Sequence, residues 1–319
     1  MNIIYGLFQS LFIAFIPLLI VALGGLVTEK SGVTNIALEG LMIFGAFIGA
    51  YVLKGMVAAG TSIQISYLTA IIVAGLAGCL LSLLHAVAAI KFNADQIISA
   101  TAINIIAPAF AIFVARTISQ AGQQIQFGAN MVISEVPLMS QIPIIGDIFF
   151  KQTYISNLLG IVILAVVWIM LMKTRLGLHI RAVGENPHAA QSVGINIFKV
   201  RYISVAISGL LAGMGGLIFV ATTSSEFNAQ VAGFGFLAIA VLIFGNWSPG
   251  RIFITALFFA FLRTLSAVYT TIPILQDINI HKHFYDMLPY VAVMIVLVFF
   301  SKRSKAPSAA GKPFYQGER

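Results

Sequence analysis

The side chains able to do chemistry in this sequence are few, and they stand in apolar surroundings. Asn35 and Glu39 are four residues apart and share one helical face. Gln96, Ser99 and Asn104 fit one face loosely, whereas Thr101 cannot share the face of Ser99. Phe234 and Phe236 stand beside Gly233 and Gly235. Amides, a hydroxyl and a carboxylate in this arrangement can hydrogen-bond a sugar hydroxyl or the edge of a base. Phenyl rings can stack on a base or form an apolar gate. The same residues have structural uses. Asn35 can cap a helix, Glu39 can sit against a helix dipole, and the Gln96–Asn104 set can join neighbouring helices. The two rings can simply pack, since Phe is abundant at 25 residues.

Catalytic chemistry is poorly supported. No GxxxxGK[ST] phosphate loop occurs, so ATP hydrolysis is not expected of this chain. HExxH, GxSxG and Cys/His clusters with metal spacing are likewise missing, and no cofactor is expected. The single Cys, Cys79, lies in an apolar run and reads as a small packing residue. His85 reads as a packed or interfacial histidine, and Arg263 as a mid-span cation bonded to helix carbonyls or a carboxylate.

The elements that position these residues follow from composition. Of 319 residues, 60% are hydrophobic and 9% are charged. Soluble domains carry roughly 25% charged residues, so the solvent here is largely lipid. The net charge of +8 is not a nucleic-acid signature, because the basic residues flank apolar runs and form no aromatic-laced patch. The expected fold is all-α, a polytopic membrane helical bundle. About nine segments qualify as spans, roughly 4–27, 33–53, 64–90, 96–116, 154–172, 201–221, 230–247, 250–271 and 285–300. Residues 1–301 form the membrane domain, with a cytoplasmic loop at 173–200, and 302–319 form a polar tail expected to be disordered. The N-terminal run lacks a basic n-region and reads as a retained first span.

Placing 173–200 in the cytoplasm puts Lys30, Lys91, Lys173, Arg175, Arg181, Lys199, Arg201, Arg251, Lys302, Arg303, Lys305, Lys312 and Arg319 inside. Only Lys54, Arg116, Lys151 and Lys282 then fall outside. The positive-inside bias therefore sets the N-terminus outside and the C-terminus in the cytoplasm. The stretch 118–152, with Gly122, Gly128, Pro137, Pro143 and Gly146, becomes an outer loop. A weak internal repeat is also visible. Gly24-Gly25-Leu26, Asn35 and Phe44-Gly45 correspond to Gly215-Gly216-Leu217, Asn228 and Phe244-Gly245. Five spans separate the copies, so they lie inverted, and their polar interruptions point to a substrate path.

The loop at 174–201 carries a short helix with its own punctuation. Asn186 suits the N-cap, Pro187 the first helical position, and Gly194 the left-handed residue after the end. So short a helix is marginal alone. It can dock in a partner's groove as a rigid lever, or rest on lipid headgroups.

Leu176-Gly177, Arg181-Ala182-Val183-Gly184-Glu185-Asn186-Pro187, Ala189-Ala190 and Gly194-Ile195 resemble the cytoplasmic loop of ABC-importer permeases. The branch is the one handling branched-chain amino acids, simple sugars and nucleosides. The resemblance continues through Glu29–Gly40, Asp95–Ser99 with Asn104, Gly233-Phe234-Gly235-Phe236 and Phe244-Gly245-Asn246-Trp247. Four motifs thus occur in the family's order. The chain looks most like the shorter permease subunit of bacterial nucleoside (guanosine-type) importers. That resemblance implies a bacterial plasma-membrane protein translocating nucleosides by alternating access. It further implies a second, non-identical permease, a cytoplasmic ABC ATPase that binds the ATP, and an extracellular substrate-binding lipoprotein. It makes Gly184, Glu185, Asn186, Pro187, Ala189, Ala190 and Gly194 the contact with the ATPase. His188 sits where the family varies. A permease for simple sugars and a gradient-driven secondary transporter are the alternatives, the latter weakened because Glu39 is the one firm span carboxylate and lies near a span end.

Overall fold

The computed structural model describes residues 2–118, 122, 124–137, 139–142, 146–269, 282–300 and 305–315. Helices dominate, as continuous apolar runs require where lipid cannot satisfy backbone groups. They are α1 (Asn2–Glu29), α2 (Leu38–Ala58), α3 (Ile63–Ala86), α4 (Gln96–Ile118), α5 (Ile155–Lys173), α6 (Arg175–Glu185), α7 (Pro187–Ser192), α8 (Ile197–Thr223), α9 (Phe234–Phe244), α10 (Pro249–Val268) and α11 (Lys282–Phe300). Among the described residues, 7 helices are long and apolar enough to cross a membrane: α1 to α5, α8 and α10. The expected segment 285–300 is helical, within the 19-residue α11, which is not one of these seven. The expected span 230–247 is corrected: its helix, α9, has only 11 residues. At 1.5 Å per residue it is about 16 Å long, half the ~30 Å hydrocarbon core. The apolar run is broken because Ala229, Ala232 and Gly233 have positive φ.

Burial sorts the helices. Most of α1 and α8 is enclosed by protein, while α4 and α5 are mainly peripheral. On α3 the residues Ile72, Leu76, Leu80 and Leu84, spaced by four, are exposed. An apolar stripe facing outward is what lipid, or a second apolar chain, covers. The opposite face of α3 packs on α8 through small residues. A Cβ on Gly213 would lie 2.2 Å from the Ala74 carbonyl oxygen, so only glycine permits this approach. Small residues at such seams let membrane helices pack backbone to backbone.

Strands are short and lie in the connections. β1 (Ile125–Gln126) pairs antiparallel with β4 (Glu226–Phe227), and β2 (Ile133–Glu135) with β3 (Lys151–Thr153). The expected outer loop thus has structure of its own, including a bond from the Val136 N–H to the Phe150 carbonyl at 3.1 Å. Pro143 lies outside the described residues, as do Lys302, Arg303 and Arg319.

The loop 173–200 folds as two helices, where the sequence pointed to one. The Thr174 hydroxyl caps α6 by accepting from the Gly177 N–H at 3.2 Å. The amphipathic face of α6 buries Ile180 and Val183. The short helix forms with the expected punctuation. The Asn186 Oδ1 accepts from the Ala189 N–H at 3.0 Å, Pro187 opens α7, and Gly194 has φ +84°. Removing the cap by Asn186→Ala should cost about 1 kcal/mol. Six residues cannot absorb that loss, so α7 should fray. Faster amide exchange at Ala189 and Ala190, with α6 unchanged, is the expected result.

The expectation of a disordered tail is also corrected. Residues 305–315 lie against the body of the protein, and Phe314 is buried.

Candidate substrate path and coupling loop

Two helix N-termini meet at the centre of the candidate site. Glu39 lies in the first turn of α2, and its carboxylate oxygens accept from the Gly233 N–H at 3.0 Å and the Gly235 N–H at 2.7 Å. Those donors belong to the start of α9, where orphan N–H groups and the helix dipole favour an anion. The approach is tight, since a Cβ on Gly235 would stand 2.3 Å from the Glu39 nitrogen. The first turns of α2 and α9 are thus joined N-terminus to N-terminus. A second carboxylate lies beyond the C-terminal end of α9, where its partner is a side chain and not a helix N-terminus. The Trp247 indole N–H donates to Glu29 Oε2 at 2.5 Å.

The stretch between α1 and α2, residues 30–37, is non-helical and enclosed. Its backbone therefore needs partners from side chains. Gln96 Oε1 accepts from the Thr34 N–H at 2.7 Å, and Asn104 Nδ2 donates to the Ile36 carbonyl at 2.9 Å. Asn104 Oδ1 accepts from the Gly40 N–H at 2.8 Å. Asn35 Oδ1 accepts from the Ala37 N–H at 3.1 Å, while its Nδ2 donates to Ser208 Oγ at 3.0 Å. His85 stands 3.1 Å from the Thr34 carbonyl through Nε2 and 2.8 Å from Ser99 Oγ through Nδ1. A carbonyl only accepts, so Nε2 carries the proton and Nδ1 accepts from the Ser99 hydroxyl. Glu39, Asn35, Gln96, Ser99 and Asn104 thus converge, and their common task is to hold this enclosed connection and its junction with α9.

The two phenylalanines separate. Phe234 is buried, its ring 4.2 Å from that of Phe219. Arg263 places its guanidinium 5.8 Å from the Phe234 ring, a cation–π contact. Phe236 is 50% exposed and faces outward from α9. Beside the Phe219–Phe234 pair lies a cavity of about 160 Å³, lined by Thr223, Ser224, Glu226, Asn228 and Gln230 among others. Sequence reasoning singled out only Asn228 here, as a marker of the repeat. The signal for the rest was the polar run 222–230 between two apolar runs.

The loop helices pack directly on the connection between α1 and α2. A Cβ on Gly184 would lie 2.1 Å from the Lys30 carbonyl oxygen. Burial lowers the pKa of Lys30, and the Glu185 carboxylate partly offsets this. Glu185, Asn186, His188, Ala189, Ser192 and Gly194 remain exposed, and Val193 is 74% exposed. Pro187 is half-buried and Ala190 buried, fixing α7 to the body.

Comparisons with known proteins agree with this architecture. The family model described as "Branched-chain amino acid transport system / permease component" matches residues 7–298. The chain is 40% identical over 307 residues to a guanosine ABC transporter permease of Bacillus subtilis, covering 95% of this chain and 94% of that protein. It is 39% identical over 296 residues to the nucleoside ABC transporter permease NupC of Lactococcus lactis, covering 92% of each. NupB, another nucleoside ABC transporter permease of the same strain, is 23% identical over 316 residues, covering 95% of this chain and 84% of its own. A multi-pass bundle with an enclosed non-helical connection facing a half-length helix, matched along nearly its whole length by one family model, identifies the chain as a member of the branched-chain amino acid transport system permease family.

Proposed function

We propose that this chain is the transmembrane permease subunit of an ATP-binding-cassette importer that moves nucleosides into the cell. The observation that carries the reading is identity of about two residues in five, along almost the whole chain, with permeases named for guanosine and nucleosides. The energy comes from a separate ATPase subunit. α7 is the lever that enters it, with Gly184, Glu185, Asn186, Pro187, Ala189, Ala190 and Gly194 shaping or fixing the contact. Exposed Val193 and Ala189 offer an apolar tip, the kind of group that buries well in a partner's groove. The N-terminus is outside and the C-terminus in the cytoplasm of a bacterial cell. In support, Lys30, Arg181, Lys199, Lys305 and Lys312 belong to the same group of connected loops as α7.

Substrate arrives from a surface-tethered binding lipoprotein. It enters at the cavity beside Phe219, and passes Phe236 and the Glu39 junction between this chain and a second, non-identical permease. The existence of two nucleoside permeases in one Lactococcus strain favours such a pair. A neutral nucleoside needs hydrogen-bonding groups and aromatic faces, both present at this cavity, without a dense ring of charge. Competition uptake in a deletion strain complemented with this gene tests the reading. Labelled guanosine uptake should fall on adding excess unlabelled nucleosides and be indifferent to glucose or leucine. Competition by sugars alone would reassign the substrate. Loss of uptake in ionophore-treated cells with ATP intact would reassign the energy source.

A further inference from the structure

The C-terminal segment 305–315 is tied to four separate parts of the cytoplasmic face. The Lys305 N–H donates to Asn246 Oδ1 at 2.9 Å, in the turn after α9. The Ser308 hydroxyl donates to Glu185 Oε1 at 3.0 Å, and the Ala309 N–H to the Gly184 carbonyl at 2.9 Å. The Gly311 N–H donates to the Gly32 carbonyl at 3.2 Å. Phe314 then inserts its ring between His188, at 5.2 Å, and Phe198, at 5.9 Å. Phe314 is 4% exposed, whereas Lys312, Pro313 and Tyr315 on either side are exposed.

We propose that this segment is a transmission strap, and that Phe314 is a positioning residue for transport. A six-residue helix joined to the bundle by single connections can tilt without moving anything else. Here its base (Gly184, Glu185) and its flank (His188) are both held by the strap. The same strap holds Gly32, two residues before the Thr34–Ile36 backbone that Gln96, His85 and Asn104 clamp. It also holds Asn246, next to the Trp247 that anchors Glu29. A push on α7 therefore reaches both sides of the Glu39 junction. The direct contact of Gly184 with Lys30 bears on the α1–α2 side alone. The strap adds the α9 side and makes the two move together. This inference rests on the reading of α7 as the contact with the ATPase.

The test uses the assembled importer in liposomes: both permeases, the ATPase and the binding protein. The variants are a chain ending at Ser304, Phe314→Ser, and Phe314→Leu as an apolar rescue. The strap predicts that the truncated and Phe314→Ser complexes keep the ATPase subunit and hydrolyse ATP within about twofold of wild type. Guanosine moved per ATP should fall about tenfold, in the range of coupling between linked sites. Phe314→Leu should recover most of it. Unchanged guanosine per ATP in both loss variants would overturn the proposal. So would loss of the ATPase subunit on truncation, which would make the segment a docking surface. A wild-type preparation that never carries an ATP-hydrolysing subunit would bring down the reading of α7, and the strap with it.

Discussion

Replacing Glu39 by glutamine should lower the initial rate of guanosine uptake about tenfold or more, with the protein still inserted at normal levels. Both carboxylate oxygens are in use, one for the Gly233 N–H and one for the Gly235 N–H. Glutamine offers one oxygen and turns an NH₂ toward the second donor. Leaving a buried N–H unpaired costs about 1–3 kcal/mol, roughly a five- to 150-fold drop in the population of the intact junction. The carboxylate also complements the positive end of α9, which a neutral amide does not. In the proposed transport cycle the junction of α2 with α9 lies where the path opens and closes, so its loss appears in transport before it appears in folding. Uptake by Glu39→Gln within twofold of wild type would remove the junction from the mechanism.

Gly184→Ala should abolish import. The added methyl would stand 2.1 Å from the Lys30 carbonyl oxygen and 3.2 Å from the Gly32 nitrogen. Both are backbone atoms and cannot rotate aside. Overpacking typically costs about 1–3 kcal/mol, more when backbone must shift. Here the shift separates α6 and α7 from the α1–α2 connection and pulls on the Ala309 N–H bond to the Gly184 carbonyl. The expected phenotype is a permease present in the membrane, with guanosine uptake at background. An exposed control, Ser192→Ala, should transport normally. Normal uptake by Gly184→Ala would mean that the loop helices do not bear on the α1–α2 loop during transport.

The long helices were legible because runs of about twenty apolar residues have no other stable use. α7 was legible because Asn186, Pro187 and Gly194 act through local geometry. The seventh span was misread because hydropathy counts length without seeing conformation. Nothing in the run 230–247 announces that Ala229 and Ala232 adopt positive φ and that the helix starts only at Phe234. The polar residues of α2 and α4 were found, but their partners were not. Asn35 bonds Ser208, 173 residues away, and Glu39 bonds Gly235, 196 away. No periodicity carries that pairing. The tail failed for the same reason. Its composition is polar and short of apolar residues, yet its order comes from backbone bonds to Gly32 and Gly184 and from one ring, Phe314.

The central claim is that α7 is the point at which a nucleotide-hydrolysing partner grips this chain. A photo-crosslinking residue in place of Val193, in cells importing guanosine, measures it directly. A single adduct between this chain and an ATP-hydrolysing subunit, absent when the crosslinker replaces outward-facing Leu80 on α3, is the predicted result. Active import with Val193 yielding no such adduct, or adducts to lipid alone, would contradict it.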